Sequence, residues 1–454
     1  MTELDHPPAL RRGLKSRHMT MIGLGGIISA GLFVSSGKVI ADTGPAALIA
    51  YVLGGVIVVL VMRMLGEMAA ARPTSGSFAD YARLALGERA GFLAGWSYWL
   101  FAIAAVAFEG VAGAQLLRSL LPSLPVLPVA VALVVAVTAA NLVSVKLFGE
   151  TEFWLATIKV VVIVAFIAAG LLFIVGLWPG GGVGLSNLTE YGGFVPNGWG
   201  AVATALVTVL FSYFGAEIVT IAAAESQEPA KEIARATIRV VWRVLIFYVG
   251  SVFVILAIVP WNQVPANGED SPFVTAIDRL GIPGAGPAMT VVILVAVLSV
   301  ANAAMYGASR ILTAMASRAD APAAIARVNA RGVPTRALLL GSGLALVIMF
   351  AAYAVDPQAV FGLLINTAGQ LVLVLYVLIA FSQLRLRRQA LEPLPLRMWG
   401  HPWLTWTVIV ALVLAFVAVA TSPGALPVVV GVAAVLGGLL LVHQLISRFR
   451  RQEL

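Results

Sequence analysis

The chain has 454 residues, 60% of them hydrophobic and 11% charged, with a formal net charge of +8. A soluble globule carries about a quarter charged residues, so this composition excludes that class and points to a multi-span membrane protein. The positive balance does not mark a nucleic-acid surface, because the basic residues recur in short clusters between apolar runs and not in a patch interleaved with aromatics. The absence of cysteine excludes disulfides and thiolate metal sites.

At the N-terminus "RRGLKSRH" precedes an apolar run containing Ser29-Ala30-Gly31, a layout that imitates a secretory signal. The run continues to about Ile40, longer than a signal's apolar region, so the first span is expected to be retained. Runs of about 20 apolar residues cross a bilayer. Twelve are expected, near 19–40, 45–70, 91–117, 126–145, 153–177, 199–223, 240–260, 287–309, 337–355, 358–383, 403–421 and 425–447. Residues 1–18 and 448–454 are terminal tails, 178–198 an outer loop and 384–402 an inner loop. With the N-terminus inside, 24 of the 29 basic residues fall in inner segments, while the outer ones hold Lys38, Arg118 and Arg279. That bias predicts both termini in the cytoplasm. "LPSLPVLP" reads as a short outer turn, and "SPFVTAIDRL", within Asn262–Gly286, as a helix on the outer face.

The first span carries "GLGGIISAGLF", Gly23–Phe33, and the sixth carries "FSYFGAEIVTIAAAESQEP", Phe211–Pro229. Glycine weakens a helix, and backbone groups freed in hydrocarbon are tolerated only where they line a cavity. Glycine-interrupted helices in corresponding positions of two halves point to an inverted-repeat transporter site. Spans 1–5 (19–177) and 6–10 (199–383) would be the repeats, with spans 11 and 12 (403–447) appended. Freed N–H groups at a half-helix start suit a carboxylate and freed carbonyls suit an ammonium, so the pair fits a zwitterion. The competing reading is that the glycines serve close helix packing.

Charges at helix centres cost about 2.5–3.5 kcal/mol on insertion scales, so each needs a reason. Glu67 follows Arg63 by four residues, the spacing of a structural ion pair. Glu109 on span 3 either meets a substrate amine or braces helices. Lys159 on span 5 places an ammonium beside the broken first span, where it would replace a monovalent cation and itself act as the coupling ion; the alternative is a static pair with Glu217 or Glu109. Glu217 either polarises the span 6 break or holds a hydrogen-bond network. The candidate substrate site is Ile27, Ser29, Ala30, Gly31, Glu109, Phe211, Ser212, Tyr213 and Gly215, and Lys159 and Glu217 are the candidate proton-coupling residues. All four histidines, His6, His18, His401 and His443, fall near termini or loops, which argues against an intramembrane enzyme or metal site. No cofactor is expected.

"ISAGLFVSSGKVIADTGPAALIAY", "RMLGEMAAARPTSGSFADYA", "NLVSVKLFGETEFWLATIKV", "GAEIVTIAAAESQEPAKEI", "ASRILTAMASRADAPA" and "HPWLTW" occur in this order. The chain thereby resembles the bacterial amino acid transporter family of the amino acid–polyamine–organocation superfamily, from about Arg17 to its end. "FGAEIVTIAAAES", "GETEFWLA" and "VLIAFSQLRLRR" resemble the 4-aminobutyrate (GABA) permeases. The resemblance implies an all-α, twelve-helix, leucine-transporter-type fold in the bacterial inner membrane, with helices 1 and 6 broken. It also implies uptake of GABA or a related amino acid coupled to proton entry. The family's carboxylate-binding turn falls on Ser29, Ala30 and Gly31, its span 6 break on Phe211 to Gly215, and the lysine that resembles a built-in sodium substitute on Lys159. Ser-Ala-Gly stands where the turn is more usually of the Gly-Thr-Gly or Gly-Ala-Ser type. An exchanger, a permease for aromatic amino acids, proline or asparagine, and a membrane-embedded sensor or channel are the alternatives.

Overall fold

Long apolar runs have one stable form in hydrocarbon, a helix that satisfies its own backbone, and the chain follows that constraint. A computed structural model describes residues 16–74, 76–143, 145–222, 229–265, 271–355, 357–389 and 394–452. Most of the expected N-terminal tail, with Arg11, Arg12 and Lys15, lies outside the described residues. Among those described there are helices and no strands.

The first span is made of α1 (Ser16–Gly25), α2 (Ala30–Phe33) and α3 (Ser35–Thr43), followed by α4 (Ala47–Ala71) and the short α5 (Ser77–Leu86). Three long helices come next, α6 (Glu88–Leu120), α7 (Val126–Val143) and α8 (Val145–Ile174). A second interrupted segment follows, α9 (Gly198–Ser212) and α10 (Ile218–Ala222), then α11 (Pro229–Ile258) and the short α12 (Pro272–Arg279). The chain finishes with α13 (Ala285–Ala316), α14 (Thr335–Val355), α15 (Pro357–Arg388), α16 (Trp403–Ala420) and α17 (Leu426–Gln452). Nine helices among the described residues are long and apolar enough to cross a membrane, and shorter apolar helices lie at Met21–Phe33, Gly198–Ser212 and Val244–Ile258. The short ones coincide with the first, sixth and seventh expected spans.

Burial sorts the helices into layers. α6 and α13 are largely buried and pack on each other, whereas α7, α16 and α17 leave most of their apolar surface uncovered, as helices facing lipid do. α1 packs on α8 and α11, and α9 on α4 and α15, so both interrupted segments run through the interior. The helix expected in "SPFVTAIDRL" is α12; Ser271 caps it and also donates its hydroxyl to the Phe33 carbonyl at 2.6 Å.

The arginine-rich loops are tied by ion pairs. Asp80 and Arg83 on α5 pair with Arg318 and Asp320 respectively, just beyond α13. Glu67 makes no hydrogen bond to Arg63, the partner expected, which acts on it through charge alone. Its carboxylate accepts from Gln383 Nε2 at 2.8 Å, Arg387 at 2.9 Å and the Met398 N–H at 2.5 Å. Arg63 instead donates to the Arg397 carbonyl and lies over the Trp399 ring. Glu67 is buried while Arg63 is at the edge, so the carboxylate takes the partners that enclose it.

Gln383 also lies 3.3 Å from His401 Nδ1 and accepts from Thr405 at 3.1 Å. Its amide nitrogen must therefore face both Glu67 and His401, leaving His401 as an acceptor and hence neutral. Burial and the neighbouring Arg387 lower the His401 pKa. Glu67→Ala strips three donors of their acceptor and is expected to cost about 3 kcal/mol, read as a lower melting temperature in detergent. The unfolded chain binds a proton at His401 more readily than the folded one, so stability is held above the ordinary histidine value of about 6.5 and lost as pH falls below it. Melting curves across that range check this, with His401→Gln expected to flatten the fall.

Candidate functional site

In the first span the helix stops at Gly25 and resumes at Ala30; in the sixth it stops at Ser212 and resumes at Ile218. The two breaks touch. Gly215 has φ +110°, a left-handed conformation that only glycine adopts without strain, and a methyl group there would overlap the Gly26 carbonyl oxygen. A Cβ on Gly31 would lie 2.8 Å from the Ser212 Cα. The glycines thus serve both readings of the sequence at once, loosening the helices and letting their main chains meet.

Main-chain groups freed by the breaks find partners both on other helices and within the broken segments themselves. The Lys159 ammonium, fully buried on α8, donates to the carbonyls of Gly25 at 2.6 Å and Ile28 at 3.2 Å. Its hydrogen-bond partners are the carbonyls of the broken span, and not Glu217 or Glu109 as in the static-pair reading. The Tyr248 hydroxyl on α11 lies 2.8 Å from the Ile27 carbonyl and 2.6 Å from that of Ser212, one proton shared between the two breaks. The Gly215 N–H donates to the Glu217 carboxylate at 3.1 Å, which places Glu217 as a cap on the sixth span.

The turn expected to hold a carboxylate is occupied by the protein's own oxygens. The Gly31 N–H donates to Ser29 Oγ at 2.9 Å, and the Ala30 N–H to Glu109 Oε2 at 3.4 Å. Glu109 therefore stands at the first break, within reach of any guest there. Phe211 packs edge-on against Phe101 and Phe108, with centroids 5.7 and 5.6 Å away. Tyr213 turns aside, stacking on Tyr248 and donating to the Tyr51 carbonyl at 3.1 Å, and the Ser212 hydroxyl bonds back to Val209. These two residues contribute backbone and packing at the break.

Three residues were not anticipated. Tyr248 and Ser271 carry no sequence signal, because a tyrosine or serine in an apolar helix is ordinary. Glu152 had one: it lies seven residues before Lys159 in "GETEFWLATIK", hence on the same helix face. It is fully buried, accepts from Ser299 at 2.5 Å and lies within Coulombic reach of Lys159.

Residues 18–449 match the amino acid permease family. The chain belongs to that family. It is 43% identical over 408 residues to the gamma-aminobutyric acid permease of Bacillus subtilis, covering 89% of this chain and 86% of that protein. The gamma-aminobutyric acid permease of Escherichia coli K12 is 45% identical over 413 residues, 90% of this chain and 88% of its own. An aromatic amino acid transport protein of Corynebacterium glutamicum is 43% identical over 403 residues, 87% and 86% respectively. Its relatives are permeases and not enzymes, and the chain is a multi-pass membrane protein of a bacterial permease family.

Tyr248→Phe leaves two buried carbonyls without a donor, an expected loss of about 1–3 kcal/mol. The purified protein should melt at a correspondingly lower temperature in detergent. Gly215→Ala should lower the melting temperature further, since its methyl group has no room against Gly26.

Proposed function

We propose that this permease imports 4-aminobutyrate or a related amino acid together with a proton, by alternating access around the two breaks. The carrying observation is the Lys159 ammonium held by the Gly25 and Ile28 carbonyls. A broken helix with two free carbonyl oxygens is a cation site, and here the cation is part of the chain. Binding and release of its proton then change the hold on the first break, and with it the seat of the substrate.

In this reading the substrate carboxylate takes the N–H groups of Ser29, Ala30 and Gly31, displacing the internal acceptors of Ala30 and Gly31. The amine lies beside Glu109 or the carbonyls of Phe211 to Gly215, with Ile27 and Phe211 closing the apolar wall. Glu217 holds the sixth break in shape while the proton moves. The names of the Bacillus subtilis and Escherichia coli relatives support GABA as the substrate.

The architecture assigned to this mechanism is twelve spans in two inverted repeats of five. α1–α3, α4, α6, α7 and α8 form the first, and α9–α10, α11, α13, α14 and α15 the second, with α16 and α17 appended. Each repeat opens on a broken segment, which supports the assignment. The arginine bias supports cytoplasmic termini and an inner-membrane location.

One observation favours a second substrate class. Phe101, Phe108, Phe211 and Phe214 gather at the sixth break, and a relative of comparable identity is an aromatic amino acid transport protein. Competition of labelled GABA with β-alanine, proline and phenylalanine separates the two. Proteoliposomes loaded with the protein should accumulate GABA under an inward proton gradient and equilibrate it without one. Uptake that ignores the gradient and requires internal amino acid would instead mean exchange. Lys159→Ala and Lys159→Gln should abolish gradient-driven accumulation; wild-type accumulation in either would remove the lysine from coupling.

A further inference from the structure

Lys159 cannot stay on the first break throughout a cycle in which that break moves against α8. A buried ammonium that leaves two carbonyls needs another partner, because an unpaired charge in a dry interior is too costly to populate. We propose that Glu152 is that partner, a second dock to which the Lys159 ammonium transfers when the first span lets go. This inference rests on the coupling role given to Lys159 above.

Four observations carry it. Glu152 lies two helical turns before Lys159, on the same face of α8. Helical side chains lean toward the N-terminus, so the lysine stem points back toward the carboxylate. The residue between them on that face is Ala156, whose methyl group is too short to stand between the ammonium and the carboxylate. One carboxylate oxygen of Glu152 accepts from Ser299, while Oε2 is buried without a hydrogen-bond partner, so an acceptor stands ready within Coulombic reach of the ammonium. Gly25 completes the arrangement: a side chain there would overlap Glu152 Oε1 and crowd Ala156, so the first break and the second dock share one surface.

The other groups facing this pair are Glu109 from α6, within Coulombic reach of the same ammonium, and neutral Ser299 and Asn302 from α13. Glu109 is engaged by the Ala30 N–H, whereas Glu152 Oε2 has no hydrogen bond of its own, with the Asn302 side chain lying against the carboxylate. The transfer exchanges two carbonyl acceptors for a carboxylate while the lysine is still protonated, before it releases its proton. Glu152 thus acts through Lys159 as a positioning residue, and its effect falls on the rate of the conformational step, not on substrate affinity.

The decisive experiment uses Glu152→Gln in the full-length protein, because glutamine keeps the size and can still accept from Ser299. Equilibrium binding of labelled GABA in detergent should be unchanged, while the maximal rate of uptake into proteoliposomes falls about tenfold. Glu152→Asp, which retains the charge, should recover part of that rate. In a Lys159→Gln background, where gradient-driven accumulation is lost, equilibrative GABA uptake without a gradient should be no slower when Glu152→Gln is added, since the dock has lost its guest. Binding lost in Glu152→Gln would make the residue a brace of the first break and overturn the proposal. A wild-type uptake rate in Glu152→Gln, or an undiminished effect in the Lys159→Gln background, would overturn it too. Failure of the wild-type protein to accumulate GABA under a proton gradient would end the functional reading itself, whereas wild-type accumulation matched by Glu152→Gln ends only the second dock.

Discussion

Unwinding a helix in hydrocarbon leaves peptide groups that water cannot reach, and the rest of this structure is arranged to meet them. The need is met from several directions. α8 supplies the Lys159 ammonium, α11 the Tyr248 hydroxyl, α6 the Glu109 carboxylate, and the residue capping α12 the Ser271 hydroxyl. Each of these is a buried polar group that would be unfavourable on its own. Their stability comes from being the missing half of a broken helix. The interrupted spans and the intramembrane polar side chains therefore form one feature described from two sides.

The glycines follow from the same constraint. Two breaks that share a hydroxyl must bring their main chains within van der Waals distance, and Gly26, Gly31 and Gly215 lie where a side chain would prevent it. Gly25 is needed for a different reason, since it admits the Glu152 carboxylate against the end of α1. Small residues in membrane helices are often read as packing alone; here packing and exposure of the backbone require the same residues.

A second set of polar contacts lies away from the breaks, on the arginine-rich face. Glu67 holds α15, the following loop and α4 together, and the Asp80–Arg318 and Arg83–Asp320 pairs tie α5 to the turn beyond α13. Ser77 on α5 meets Thr220 on α10 at 2.8 Å, so this face touches the second half of the sixth span.

Apolar length, charge depletion, the two glycine-rich interruptions and the presence of Glu109, Lys159 and Glu217 inside apolar runs were all legible in the amino-acid order. Each follows from a local property: the transfer cost of a side chain, the run needed to cross a bilayer, the helix-weakening effect of glycine. Partnership was not legible. Spacing along one helix suggested Arg63 for Glu67, but the partners that enclose the carboxylate lie more than 300 residues away in sequence. Lys159 was placed beside the first break, yet its two acceptors, the bridging Tyr248 and the open oxygen of Glu152 emerged only once α1, α8 and α11 were packed together. A residue's preference for water or lipid is written in its own chemistry, whereas the atom that satisfies it is chosen by whichever distant segment the fold brings within about 3 Å.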